Sequence, residues 1–258
     1  MGVHADIDIR MKHNYEEPYK FRLTRRTPVI IRIDGRAFHT FAKGFVRPFD
    51  DVLRNSMKAT MLYLCENTMG CVYGYTQSDE ITLVLVDYDT LEASAFFDYD
   101  VQKLCSITAS MATMRFNKSF ENNVEKFRMS ATDRNAGEQW IVYHDALAKG
   151  AMFDSRCYNI PKEEVCNQVY ARQIDAIRNS VQLVAQTYYG QSELDNKPIS
   201  ELKEMLKKDH DIDWNNYPIE YQRGSSCIKT DEGWVIDTEM PILKGEAREY
   251  IERYIFFD

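Results

Sequence analysis

The order in which apolar runs and amphipathic stretches alternate is the feature that most limits how this chain can fold. Pro28-Val-Ile-Ile-Arg-Ile-Asp34 is a nearly unbroken apolar run, the pattern of a strand central in a sheet. Gly35 follows, suited to a sharp turn or to close approach by a ligand. A helix is predicted from about Asp50 to Asn67, with Asp50 or Asp51 as its cap and Leu53, Met57, Thr60, Met61 and Leu64 on one face. Residues 71–76 and 80–86 read as two strands around the polar connection Gln77-Ser78-Asp79, a β-hairpin. A second helix is predicted from Tyr99 to about Phe116, then a strand over Met152 to Ile160, stopped by Pro161. The order is β-α-β-β-α-β, which predicts an α+β fold of the ferredoxin-like kind: an antiparallel sheet with both helices on one face. A long helix from Pro161 to Tyr189, a Lys-rich helix near Ser200 to Lys208, and a hairpin turning at Asp231-Glu-Gly233 make up the rest. The expected division is residues 1–160 as the sheet domain and 161–258 as a mainly helical extension packed on it as one unit.

Composition removes several classes. With 258 residues, the chain is long enough to bury a large core without staples. It has no apolar run near the roughly 18–20 residues of a membrane-spanning helix. The stretch Met1 to Arg10 has no apolar signal core. The six cysteines show no C-x-x-C spacing and read as reduced thiols, so a cytoplasmic location is expected. A net charge of −8 argues against coating nucleic acid by bulk charge, so any contact with RNA must be local. Lys118, Lys126 and Arg128 form one loose basic group, and Lys203, Lys207 and Lys208 another.

Two acids stand out once the topology is drawn. Asp34 ends the first strand, Asp79 sits in the turn before the third, and those strands are neighbours in a β-α-β-β-α-β sheet. Bare carboxylates about 4 Å apart repel by roughly 4 kcal/mol at an effective dielectric near 20, and a divalent cation reverses that sign. Oxygen ligands without nearby His or Cys favour Mg²⁺, and two such ions can activate a hydroxyl and stabilise leaving pyrophosphate. The Gly35 carbonyl is a further candidate ligand. As residues alone, Asp34 and Asp79 fit ordinary turn formers equally well. Glu80 is expected to alternate away from Asp79 and to be structural. Gly35-Arg36-Ala37-Phe38-His39 leaves the strand in a tight polar turn able to face a triphosphate. Arg36 and Lys103 are candidate charge partners, Ser78 a candidate phosphate donor, and His39 a candidate base contact.

These residues carry a resemblance. Arg32-Ile-Asp-Gly-Arg-Ala-Phe-His39, with Arg47-Pro48 and Asp50, resembles the opening motif of the tRNA-histidine guanylyltransferase family, and Tyr73-Gly-Tyr-Thr-Gln-Ser-Asp-Glu80 resembles its second motif. Phe153-Asp-Ser-Arg156, Arg172-Gln173 with Asp175, Asp213-Trp-Asn-Asn-Tyr-Pro218 and Arg223-Gly-Ser225 resemble later segments in the same order. The resemblance implies a polymerase-type palm that extends tRNA from its 5′ end in the 3′-to-5′ direction. It implies ATP activation or use of an existing 5′-triphosphate, GTP as the incoming nucleotide, two Mg²⁺ and a homotetramer. By position it implies Asp34 and Asp79 as catalytic residues, with Asp34, Gly35 and Asp79 as metal ligands. Nucleotide contacts map to residues 34–39, Asp50, Ser78, Asp79 and Lys103. Family members acting on tRNA-His carry His-Ile-Asn-Asn where this chain has Ile177-Arg178-Asn179-Ser180. That departure resembles the guanylyltransferase-like branch that repairs truncated 5′ ends by templated addition, with Arg178 and Asn179 as candidates for tRNA contact or activation. The alternatives are strict addition of one G to tRNA-His, or a palm-type nucleotidyl cyclase without RNA.

Overall fold

The computed structural model describes residues 3–130 and 134–257. Six strands form one antiparallel sheet in the order β4-β1-β3-β2-β5-β6, built from β1 (Val29–Gly35), β2 (Cys71–Gln77), β3 (Glu80–Leu85), β4 (Phe153–Asn159), β5 (Ser225–Thr230) and β6 (Gly233–Asp237). The helices in chain order are α1 (Val3–Met11), α2 (Phe38–Phe41), α3 (Asp51–Asn67), α4 (Val101–Ser130) and α5 (Arg134–Lys149), then α6 (Lys162–Tyr188), α7 (Gln191–Leu194), α8 (Ile199–His210), α9 (Ile219–Arg223) and α10 (Glu249–Glu252). Strands β1 to β4, adjacent in the order β4-β1-β3-β2, and helices α3 and α4 make the expected β-α-β-β-α-β unit. None of the helices among the described residues is long and apolar enough to cross a membrane.

Alternation along the strands sorts the sheet into two faces. Ile31, Ile33, Leu83 and Leu85 pack with Met57, Met61 and Leu64 of α3 and with Leu104, Phe116 and Phe120 of α4. The α4 helix runs well beyond the predicted end near Phe116, because Phe116, Phe120 and Val124 continue a buried stripe at helical spacing. Ile30, Tyr73, Tyr75 and Val84 face the other way, onto Val165, Cys166 and Val169 of α6 and onto Met240, Leu243, Ile251 and Ile255 near the C-terminus. The far half of α6 packs on α8 and Trp214 through Val181, Val184, Leu202 and Leu206.

The C-terminal hairpin is part of the sheet: Tyr73 pairs with Ile228 and Tyr75 with Ser226. Gln173, fully buried on α6, holds the returning chain. Its Nε2 donates to Pro241 O at 2.8 Å and its Oε1 accepts from Leu243 N at 3.0 Å. Gln173→Leu leaves both backbone groups buried without partners, and a loss of about 2–3 kcal/mol in denaturant unfolding is the expected outcome. All six cysteines are free thiols.

Candidate active site at the sheet edge

The C-terminal end of β1 and the β2–β3 turn lie at one edge of the sheet. Asp34 stands opposite Glu80 in the β1–β3 register and opposite Asp154 in the β1–β4 register. Gly35 N donates to Asp79 O at 3.1 Å, so the two predicted acids are tied through their backbones. The hairpin turn is only Ser78-Asp79, with Gln77 paired to Glu80, and such short turns need positive φ. Ser78 supplies it at φ +50°, and Ala37 across the opening is also left-handed at φ +54°. Two non-glycine residues in this region mark the edge as a strained rim.

Both acids carry an electrostatic cost, set mainly by burial and not by each other. Burial is the main cause that raises the Asp34 pKa above the usual carboxylate range, with Glu80 and Asp154 adding to it. Burial likewise raises Asp79, opposed by the Ser78 hydroxyl, which donates to Asp79 Oδ1 at 2.9 Å, while the Asp34 charge adds to the rise. Glu80 lies on the same face as Asp34, since directly opposed residues share a face. Its carboxylate is held by Arg172 of α6 at 2.7 and 2.6 Å.

A cavity of about 550 Å³ opens beside this edge, lined by Gly35, Ala37, Phe38 and His39, by Ser78 and Asp79, and by residues of α3, α6 and α9. That is the size range of a small-molecule site. Asp50 and Asn179 are also on its wall. Asp50 is the cap of α3, accepting from Leu53 N at 2.8 Å, Val46 N at 2.9 Å and the Tyr143 hydroxyl at 2.6 Å. Its carboxylate is therefore committed to shaping the wall. Arg36 and Arg178 are exposed and outside the lining.

Lys103 departs from expectation. It lies in the first turn of α4, whose start pairs with residues 21–23 ahead of β1. The helix then runs toward the acids, with Cys105 against Cys157, Thr108 against Ser155 and Thr113 against Phe153. Lys103 is thus at the opposite end of the sheet, roughly 15 Å from Asp34 along the strand, and within one chain it is not brought to the triphosphate turn. Helix periodicity places a residue on a face but not at an end of the sheet.

Sequence reasoning missed the far wall of the cavity. Glu220 of α9 receives Lys58 Nζ at 2.7 Å and Arg54 Nη1 at 2.8 Å from α3. The Arg54 guanidinium lies 3.8 Å from the Tyr221 ring centre, and Tyr221 stacks on Phe49 at 4.7 Å. Arg54 and Lys58 at i, i+4 were legible as one helix face, but their partner on α9 is set by tertiary packing. Gly35 owes its identity to Phe38: a Cβ there would meet the Phe38 ring at 2.2 Å, and that ring packs against Phe41, Phe116 and Phe153. Gly35→Ala is expected to cost about 1–3 kcal/mol and to weaken nucleotide binding, read by unfolding and by GTP titration.

The fold and the comparisons below make this chain a nucleotidyltransferase. The family model described as tRNAHis guanylyltransferase matches residues 9–161, and the chain belongs to the tRNA-histidine guanylyltransferase family. Among curated relatives, an uncharacterized protein of Acanthamoeba polyphaga mimivirus is 27% identical over 248 residues, 89% of this chain and 80% of that protein. A probable tRNA(His) guanylyltransferase of Dictyostelium discoideum is 28% identical over 214 residues, 78% of this chain and 75% of that one. Among solved structures, a bacterial tRNA(His) guanylyltransferase (Thg1)-like protein in complex with ATP superposes with a TM-score of 0.84 at 35% identity, covering 98% of this chain and all of its own. The GTP complex of a bacterial protein of the same description gives 0.78 at 34%, with the same coverage.

Proposed function

We propose that this chain adds nucleotides from GTP to the 5′ end of tRNA in the 3′-to-5′ direction, after activation by ATP or from an existing 5′-triphosphate, as templated repair of the end. The observation that carries the reading is that Asp79 and Gly35 line a nucleotide-sized cavity, with Asp34 directly before Gly35 at the same sheet edge and outside the lining. The ATP and GTP complexes of the similar bacterial proteins support nucleotides as its occupants. The loss of His-Ile-Asn-Asn, of which only Asn179 survives, supports repair over strict addition to tRNA-His. Ser180 at the last position of that stretch is buried and accepts from Trp214 Nε1 at 3.0 Å, which binds α6 to the following segment.

The residues fit Mg²⁺. Asp34 and Asp79 are hard oxygen donors, both raised in pKa chiefly by burial, Asp34 further by Glu80 and Asp154 and Asp79 further by Asp34, and the Gly35 carbonyl adjoins them. No group of three or more His, Cys, Asp or Glu arranged to hold a metal ion occurs among the described residues. Two carboxylates leave positions for phosphate oxygens and water, as Mg²⁺ sites at phosphates do. When bound, the ions would supply activation of the attacking hydroxyl and stabilisation of leaving pyrophosphate. The chain itself orients the nucleotide. In this reading the turn from Gly35 to His39 receives the phosphates, and the Ser78 hydroxyl, which donates to Asp79 Oδ1, joins them by turning away from that carboxylate. Phe49 and Tyr221 give the cavity an aromatic wall beside the paired charges of Arg54, Lys58 and Glu220. Arg36 and Arg178, both exposed, are assigned contacts to RNA phosphates in this reading. Residues 1–160 and 161–258 act as one catalytic unit in this reading, because α6 and α9 supply cavity walls, and the working form is a homotetramer.

Labelled GTP supplied with intact and 5′-truncated tRNAs, bearing mono- or triphosphate ends, tests this directly. Stepwise extension of truncated tRNAs to the full acceptor stem, complementary to the 3′ strand, is expected. A single G added only to tRNA-His, or a cyclic product from GTP without RNA, would refute it.

A further inference from the structure

The Arg172-Gln173-x-Asp175 motif reaches the site through a carboxylate that it restrains. Three acids meet at this edge: Asp34, Asp79 and Glu80. Cross-strand pairs such as Asp34 and Glu80 have Cβ atoms about 4.5–5.5 Å apart on the same face. Asp34 and Asp79 make no ion pair. Glu80 is the opposite case. It is 5% exposed, and Arg172 takes both of its oxygens, Nε to Oε1 at 2.7 Å and Nη2 to Oε2 at 2.6 Å. Arg172 Nη1 donates to Asp175 Oδ2 at 2.7 Å, fixing the guanidinium plane from its other side. Arg32 Nε, 3.9 Å from Glu80 Oε2, is too far to replace this fork, and that nitrogen has no hydrogen-bond partner.

The geometry points to Arg172 as a positioning residue that keeps a third carboxylate out of the cation pair by clamping Glu80 to α6. This rests on the reading of Asp34 and Asp79 as cation ligands. With Glu80 clamped, a divalent cation meets two carboxylates and keeps open positions for nucleotide phosphates. With Arg172 removed, Glu80 is buried and charged, without a hydrogen-bonded partner and with only the distant Arg32 contact at 3.9 Å, which is costly. A cation held by its neighbours is then the partner within reach. Affinity for divalent cations rises with the number of charged ligands, and the added ligand occupies a position the triphosphate needs. Releasing the clamp therefore tightens metal binding and slows turnover, whereas simple damage to the fold weakens both.

The test uses Mn²⁺ as the probe, its free concentration read by electron paramagnetic resonance, beside steady-state GTP incorporation on a truncated tRNA. In Arg172→Met, Mn²⁺ binding is expected to be about tenfold tighter, with a fall in kcat of about a hundredfold. The double variant Arg172→Met/Glu80→Gln returns Mn²⁺ affinity to that of the unaltered chain and recovers most of kcat. It also folds without a buried unpaired charge. Arg172→Lys, whose ammonium cannot hold both oxygens, shows the same signs with smaller size and serves if the Met variant is unstable. Unchanged or weaker Mn²⁺ binding in the folded Arg172 variants, or no recovery with Glu80→Gln, overturns the inference. Mn²⁺ binding that persists in Asp34→Asn/Asp79→Asn refutes the cation assignment itself, a distinguishable failure.

Discussion

Asp34→Asn and Asp79→Asn are each expected to abolish GTP incorporation, by at least about a thousandfold in kcat, while tRNA binding stays close to that of the unaltered chain. The same variants should unfold at a higher temperature at neutral pH in a chelating buffer. Folding raises both carboxyl pKa values, chiefly by burial, so the folded chain holds protons that the unfolded chain has released. That contribution favours folding below the unfolded-state range near pH 4 and is lost as pH rises through the raised values. At pH 7 each ionised acid therefore costs stability, which asparagine removes. Both acids are partly exposed, so solvent screening holds the gain under about 1 kcal/mol, or roughly 2–4 °C. The gain should vanish near pH 3–4, and saturating Mg²⁺ should stabilise the unaltered chain but not the variants. Thermal scans across pH, with and without Mg²⁺, read all of this. Equal melting temperatures throughout would remove the charge-repulsion account, and unchanged incorporation would remove the catalytic one.

Gly224→Ala is the second large effect. Gly224 joins α9 to β5 at φ +86° and ψ −171°, a region in which essentially only glycine is found. An added Cβ would lie 2.5 Å from the Thr76 carbonyl oxygen and 2.9 Å from the Tyr75 hydroxyl. Neither can withdraw. Thr76 is paired within the sheet, and the Tyr75 hydroxyl donates to Arg223 O at 2.7 Å. Strain and clash together predict a loss of about 3 kcal/mol or more, a fall of roughly 6–12 °C in Tm. GTP binding should weaken in step, because Thr76, Gly224 and Ser225 line the cavity. Gly137→Ala is the control. It lies within α5 with nothing within 4 Å of its added Cβ, and a gain of about 0.5–1 kcal/mol is expected. If Gly224→Ala matches that control, the close approach of β5 to β2 is not what requires glycine there.

The inner sheet and its acids were legible because the signals are local. An apolar run ending in Asp34-Gly35 and a hairpin turning on Ser78-Asp79 each need only neighbouring residues to be recognised. The chain order then dictates which strands adjoin. The Arg-Gly-Ser motif at residue 223 was visible as a pattern, but the need for its glycine came only with β5 lying against Thr76. The stretch from Asn117 to Gly150 was opaque. Its polar residues hide a stripe of Phe120 and Val124, and α5 contributes Tyr143 and Ala146 to a core made by other elements.

Residue order alone determined the alternation of strands and helices, the pairing of two acids at one edge, and the motifs by which the family is known. Tertiary structure alone decided which end of the sheet each helix serves, moving Lys103 away from the acids. It also turned Glu80 toward Arg172 and built the cavity's far wall from Arg54, Lys58, Glu220 and Tyr221. The physical reason is range. Backbone dihedrals and hydrophobic periodicity act over a few residues, whereas buried ion pairs and close backbone contacts join residues more than ninety positions apart and exist only after the sheet has formed.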